Sequence, residues 1–171
     1  MLSPSPDARR NADTLFAVAV GTGATFSGLV SALKPWQRAV GFPVVNDASV
    51  PARIRYWIET HSIGSNPKYW SIRPHRQLSP YGKVSDRLLE FILRFFHDTG
   101  IALDPVYTGK AFHALLEEEF LDSLTEGTQL VFVHTGGLIG AYGYRDRFSA
   151  CAEPSLIENY FNEVGRLTGS G

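Results

Sequence analysis

The sequence predicts an α/β fold in three layers: a mainly parallel sheet with helices flanking it. Three observations lead there. Thr14–Val20 (TLFAVAV), Ala39–Val45 (AVGFPVV) and Thr128–His134 (TQLVFVH) are short, nearly continuous apolar runs, the pattern of strands buried on both faces. Each of the first two is followed by a helical pattern, and strand–helix repetition favours parallel pairing. The first and last runs end in glycine clusters, Gly21–Gly28 and Gly136–Gly137, where strand-to-helix turns belong.

Taken in order, Thr14–Val20 leads through GTGATFSG into a helix beginning near Leu29 (LVSALKPWQ). After Ala39–Val45, Ser49 is a plausible N-cap, Pro51 suits a first turn, and Ile54, Trp57 and Ile58 recur at helical spacing. Residues 61–80 are rich in Ser, Pro, Asn, Gly and His and read as loop around one β-like piece, Tyr69–Ile72. Ser85 caps a further helix, whose stripe of Leu88, Ile92 and Phe95 or Phe96 faces a core and which Gly100 ends in the left-handed conformation. Asp104–Gly109 is a turn cluster before one amphipathic helix, Ala111–Leu124, with Glu117, Glu118 and Glu119 on its solvated side. Thr128–His134 then reads as a buried strand, and a closing helix covers Ser155–Arg166. Residues 1–13 are expected to be poorly ordered and 14–171 to form one α/β domain.

Composition narrows the functional classes. With 171 residues, 44% hydrophobic and 19% charged, the chain has the apolar content for a real core and is not a disordered polymer. Sixteen basic against seventeen acidic residues leave a formal charge of −1, no footprint for nucleic acid or an anionic membrane. No apolar run approaches the roughly 20 residues of a membrane-spanning helix. The N-terminus lacks the apolar core and cleavage site of a signal peptide. Cys151 is the single cysteine, which fits a reducing compartment, so a cytoplasmic location is expected.

Open α/β sheets bind ligands outside the carboxyl ends of their strands. Gly21-Thr22-Gly23-Ala24-Thr25 sits at such an end and offers successive backbone N–H groups and two hydroxyls, suited to a phosphate. The loop has no Walker lysine, and its glycine spacing does not match the dinucleotide fingerprint, so a purely structural turn is an equal reading. His61, His75, His97, His113 and His134 have no metal-ligand spacing. Ser27, Ser149 and Cys151 have no hydrolase context. Tyr81 and Tyr107 lie in turn segments, where a phenol can face a cleft.

Four strings together carry a resemblance: VGTGATFSGL (Val20–Leu29), YGKVSDRLLEFI (Tyr81–Ile92), TGIALDPVYTGKAF (Thr99–Phe112) and HTGG (His134–Gly137). In this order they resemble the 1-aminocyclopropane-1-carboxylate deaminase/D-cysteine desulfhydrase family, pyridoxal-phosphate enzymes of the tryptophan synthase β-like fold. The resemblance implies pyridoxal 5′-phosphate as cofactor and a small amino acid as substrate, converted to an α-keto acid and ammonia. It assigns the cofactor phosphate to Gly21, Thr22, Gly23, Ala24 and Thr25, the ring nitrogen to Thr135, and the substrate side to Tyr81 and Tyr107.

Members that open the cyclopropane ring resemble DPVYEGK with HLGG, whereas this chain has Thr108 and Thr135 there, a pattern nearer D-cysteine desulfhydrase. The cofactor-anchoring lysine of the family lies in an N-terminal half that this sequence does not match. Of Lys34, Lys68, Lys83 and Lys110, none falls at that position, and Lys110 matches a different family lysine. The chain is therefore expected to correspond to the C-terminal half, inactive alone and needing an N-terminal half or a second copy. The alternative is a non-catalytic α/β interaction module or truncated pseudoenzyme, which pairs through an exposed sheet edge.

Overall fold

The computed structural model describes residues 13–61, 69–73 and 83–169. Four strands, β1 (Thr14–Val20), β2 (Gln37–Pro43), β3 (Trp70–Ile72) and β4 (Gln129–Val133), form a parallel sheet in the order β3-β2-β1-β4. Helix α1 (Ala24–Ser31) follows β1, and α2 (Val50–His61) follows β2. Between β3 and β4 come α3 (Asp86–Thr99), α4 (Thr108–Leu115) and the single turn α5 (Glu118–Leu121). After β4 the chain forms a 3₁₀ segment, Leu138–Tyr144, the short α6 (Arg145–Phe148) and α7 (Pro154–Thr168).

The strands sort their side chains with period two. From β1, Leu15, Ala17 and Ala19 join Val40 and Phe42 of β2 against Ala111, Ala114 and Leu115 of α4. Val18 and Val20 face the other way, with Ala39, against Phe26 and Val30 of α1 and Ile54 and Ile58 of α2. This is the three-layer arrangement the apolar runs predict. Gly41 permits it: a Cβ there would come within 2.6 Å of Val20 and 2.8 Å of Ile72.

A separate helical core packs α3 against the 3₁₀ segment, α6 and α7, through Leu89, Ile92 and Leu93 with Phe148, Tyr160 and Val164. The α3 signals act as expected. The Ser85 hydroxyl accepts from Leu88 N at 3.3 Å, and Gly100 ends the helix at φ 71°. Phe95 and Phe132 both contact Phe112 of α4, with centroids 4.6 and 4.9 Å away, and so join this core to the sheet.

Five elements differ from expectation. The helix after β1 begins at Ala24, inside the glycine-rich segment and not near Leu29, and ends at Ser31, because Gly23 in the left-handed region turns the chain directly into it. β2 starts at Gln37 and stops at Pro43 because its seven residues pair with the seven of β1, Thr14 opposite Gln37 and Val20 opposite Pro43. β4 is half-buried, since it is one of the two edge strands of the sheet among the described residues. The single helix expected over 111–124 begins earlier, at Thr108, and breaks after Leu115. Phe120 lies nine residues after Ala111, half a revolution away at about 100° per residue. The break turns Phe120 inward, edge-on to Phe42 at 5.5 Å. Finally, the Ser49 hydroxyl donates to Asp47 at 2.6 Å, and Asp47 also accepts from Ser49 N, so the entry to α2 is shaped by Asp47. No helix among the described residues is long and apolar enough to cross a membrane.

Ile92, fully buried in the helical core, should be far more costly to truncate than the exposed cap. Ile92→Ala should lose about 2–5 kcal/mol and Ser85→Ala about 1 kcal/mol in urea unfolding. Equal losses would contradict this assignment of the core.

Candidate functional site

β1 ends at Val20, two residues beyond the Val18–Val133 pair that closes β4, and the chain leaving β1 crosses to β2 on the side away from β4. Ligand crevices of parallel sheets form at such points. Here the gap is a cleft of about 560 Å³. It is bordered by Gly21–Thr25 after β1, Thr135–Gly137 after β4, and Tyr107 at the entry to α4. Seven of the eight residues expected at the site thus share one cleft. The eighth, Tyr81, lies outside the described residues.

The first glycine turn is built for backbone donors. Gly23 is the N-cap of α1 at φ 97°, in the left-handed region, and, being glycine, it supplies no side-chain cap. The helix's own bonding to the turn starts at Ser27 N, which donates to Gly23 O at 2.9 Å. The N–H groups of Ala24, Thr25 and Phe26 have no acceptor among the described residues, the ordinary condition of an uncapped helix start. A Cβ on Gly23 would lie 2.5 Å from Ile54, and one on Gly21 would lie 3.3 Å from the Tyr107 ring. The turn is therefore pressed against α2 on one side and against Tyr107 on the other.

Tyr107 is held by Asp104, which is fully buried. One carboxylate oxygen accepts from Val106 N at 2.8 Å and Tyr107 N at 2.7 Å. The other accepts from Thr108 N at 2.8 Å and the Thr108 hydroxyl at 2.6 Å, while that hydroxyl accepts from Asp104 N at 2.9 Å. Charged acceptors make the stronger hydrogen bonds, so this turn is fixed by one side chain. Thr108, at the position where relatives that open the ring are expected to carry Glu, is buried and bonded to Asp104.

The second glycine turn is tied to the same segment. His134 Nε2 donates to Ala102 O at 2.9 Å, and Gly136 N donates to His134 Nδ1 at 3.2 Å, which together define the neutral tautomer with its proton on Nε2. Gly136 and Gly137 both have φ 84°, and a Cβ on Gly137 would sit 3.5 Å from Asp104 Oδ2 and 3.7 Å from Tyr107. Thr135 is exposed at the rim of the cleft.

Sequence reasoning missed Arg53 and Asp47, which also border the cleft. Arg53 donates to Thr22 O at 3.0 Å, to the Ser49 hydroxyl at 3.3 Å and to Asp47 at 3.2 Å. Hydrogen bonds from the Ser49 hydroxyl and backbone hold the Asp47 carboxyl below its usual pKa, with Arg53 adding to the effect. The Asp-x-Ser turn before a helix, with Arg one turn in, was the signal available.

Lys110 follows Tyr107 by three residues but is buried, and its amine has no partner among the described residues. Burial lowers its pKa, against a smaller opposing pull from Asp104. None of Lys34, Lys83 or Lys110 borders the cleft, and Lys68 lies outside the described residues. Among the described residues no group of three metal-binding side chains occurs.

A helix start with open N–H groups, facing a second glycine turn at the ends of parallel strands, defines an α/β protein with a cleft at the carboxyl edge of its sheet. No family model matches the chain. Individual relatives do. A Pyrococcus horikoshii protein named for 1-aminocyclopropane-1-carboxylate deaminase is 33% identical over 137 residues, covering 76% of this chain and 41% of that protein. The Arabidopsis thaliana bifunctional D-cysteine desulfhydrase/1-aminocyclopropane-1-carboxylate deaminase is 39% identical over 71 residues, 41% of this chain and 18% of its own length. A crystal structure of an ACC deaminase homologue superposes with a TM-score of 0.72 at 27% identity, covering 83% of this chain and 45% of that one. The chain is a partial-length relative of the 1-aminocyclopropane-1-carboxylate deaminase/D-cysteine desulfhydrase family, and spans about 41% of the P. horikoshii protein.

Two substitutions test the chemistry that holds the cleft together. In Asp104→Asn either amide orientation sets an NH₂ against two donors, so stability should fall by about 2–4 kcal/mol in urea unfolding. A loss under about 1 kcal/mol would show that Asp104 does not organise the turn. Lys110→Met should act in the opposite direction. With the folded pKa depressed, the charged amine costs stability below that pKa, and the cost fades as pH rises toward the unfolded value. The variant should be about 1 kcal/mol more stable at pH 7, with the gap narrowing toward pH 10. A less stable variant at pH 7 would contradict it.

Proposed function

We propose that this chain forms the cofactor-phosphate part of a pyridoxal-phosphate-dependent deaminase or lyase, which converts a small amino acid to an α-keto acid and ammonia. The observation that carries the reading is the meeting of Gly21–Thr25, Thr135 and Tyr107 in one cleft. The residues present fit the group. Three N–H donors without acceptors suit a phosphate dianion, and the absence of a Cβ at Gly21 and Gly23 leaves the turn its close approach to Tyr107 and Ile54.

When bound, pyridoxal phosphate supplies an electron-withdrawing ring that stabilises negative charge at the substrate Cα. The chain's own groups bind and orient. The start of α1 binds the phosphate. Thr135 would face the ring nitrogen with a neutral hydroxyl, where a carboxylate would make the ring a stronger electron sink. Tyr107, its backbone fixed by Asp104, holds a proton at its phenol oxygen on the substrate side, with Tyr81 assigned beside it by the resemblance. Thr at 108 and 135 favours D-cysteine-like elimination over ring opening.

The family's anchoring lysine has no counterpart among the lysines whose positions are described. We therefore infer that this chain does not turn over substrate alone, and that an N-terminal half or a second copy completes the site in the cytoplasm. The half-buried edge strand β4 also supports the second reading, an interaction module that pairs through this edge.

The test mixes purified chain with pyridoxal phosphate, reduces with borohydride and measures intact mass. Weak reversible binding with an unmodified mass is expected, and a stoichiometric adduct at one lysine would overturn the missing-anchor reading. In a complex completed with an N-terminal half, Tyr107→Phe should lower kcat at least about tenfold with cofactor affinity nearly unchanged. Unchanged turnover would remove Tyr107 from the chemistry. Activity in neither complex nor chain, with a stable self-association, would favour the interaction module.

A further inference from the structure

The turn that opens α1 is held from outside by a side chain that neither its glycines nor the resemblance identifies. Arg53 projects from the first turns of α2, borders the cleft, and spends its three guanidinium nitrogens on three different groups. Nε donates to Thr22 O at 3.0 Å, one terminal nitrogen to the Ser49 hydroxyl at 3.3 Å, and the other to Asp47 at 3.2 Å. The side chain is 34% exposed and that of Asp47 43% exposed, so the fork stands at the cleft wall.

Two physical consequences follow. The peptide carrying Thr22 C=O also carries Gly23 N–H, and in a trans peptide the two point in opposite directions. There is no cis peptide among the described residues. Drawing the Thr22 carbonyl toward Arg53 therefore turns Gly23 N–H away from α2 and removes a partial negative charge from the turn. The second consequence concerns Asp47. Its carboxyl is held ionised beside a cleft that is meant to take an anion, and the guanidinium is the cation that masks it.

We propose that Arg53 is a positioning residue for the phosphate cradle: its fork fixes the Thr22–Gly23 peptide and screens Asp47, so that the turn accepts a phosphate monoester. This rests on the phosphate-cradle reading above. Arg suits the task where Lys does not, because only the planar fork reaches a carbonyl, a hydroxyl and a carboxylate together.

The experiment uses the full chain and the variants Arg53→Met, Arg53→Lys and Arg53→Met/Asp47→Asn. Amide hydrogen exchange of Ser27, whose N–H closes the turn on Gly23 O at 2.9 Å, is read without ligand, and binding is measured with pyridoxal 5′-phosphate and, separately, pyridoxal. Arg53→Met should speed exchange in this turn and weaken pyridoxal phosphate about tenfold, while leaving pyridoxal within about twofold. Arg53→Lys should restore less than half of either effect. The double variant should recover affinity in part, because Asp47 is neutralised, without slowing exchange.

Exchange and affinity both unchanged in Arg53→Met would overturn the proposal, and so would full rescue by Lys, which would reduce the role to charge. If wild-type chain binds pyridoxal phosphate no better than pyridoxal, the phosphate-cradle reading fails. The exchange arm still decides whether Arg53 holds the turn.

Discussion

β1 is paired in parallel along both its edges, and the register is flush. Thr14 stands opposite Gln37 of β2 on one side and Gln129 of β4 on the other. The strands therefore end nearly level, although β4 lies more than a hundred residues further along the chain. The turn after each strand must leave from the same edge of the sheet, and the two glycine turns have nowhere to go but toward each other. A slip of one residue would point Leu15, Ala17 and Ala19 at the wrong helix layer and part the two turns.

The sheet brings the turns together but does not fix their shape. That falls to three side chains, each of which grips backbone groups. Asp104 takes the N–H groups of residues 106–108 and sets Tyr107 against Gly21. His134 links Gly136 to Ala102, two residues before Asp104. Arg53 grips Thr22 from the opposite wall. The helical core beneath supports this arrangement, with the Tyr160 hydroxyl donating to Leu103 O at 2.7 Å beside Asp104. Burial, with a smaller contribution from Asp104, pushes the Tyr160 pKa well above its ordinary range, so it serves as a fixed neutral donor.

Much of this is visible in the sequence because it is written in local terms. Thr14–Val20 reads as a strand from its apolar run, and Ser85 and Gly100 bound α3 by capping chemistry that acts within a few residues. The parts that are not legible depend on pairing across the chain. The ends of β2 are set by β1, the break after Leu115 by the position of Phe42, and the half-burial of β4 by its place at the edge. The site divides in the same way. Glycine turns and DPVYTGK stand out as strings, whereas the Asp47-x-Ser49 turn marks only the local setting of Arg53, and its reach to Thr22 over 31 residues through one carbonyl leaves no trace in the sequence.

In the proposed function the open end of α1 receives a phosphate while the second glycine turn and Tyr107 meet the ring. Amide-resolved NMR titration of the chain, with pyridoxal 5′-phosphate and then with inorganic phosphate, tests it most directly. Both ligands are expected to shift the amides of Gly23, Ala24 and Thr25, and only pyridoxal 5′-phosphate to shift Thr135–Gly137 and Tyr107 as well. Shifts confined to other surfaces, or a Gly23–Thr25 segment that responds to neither ligand, would contradict it.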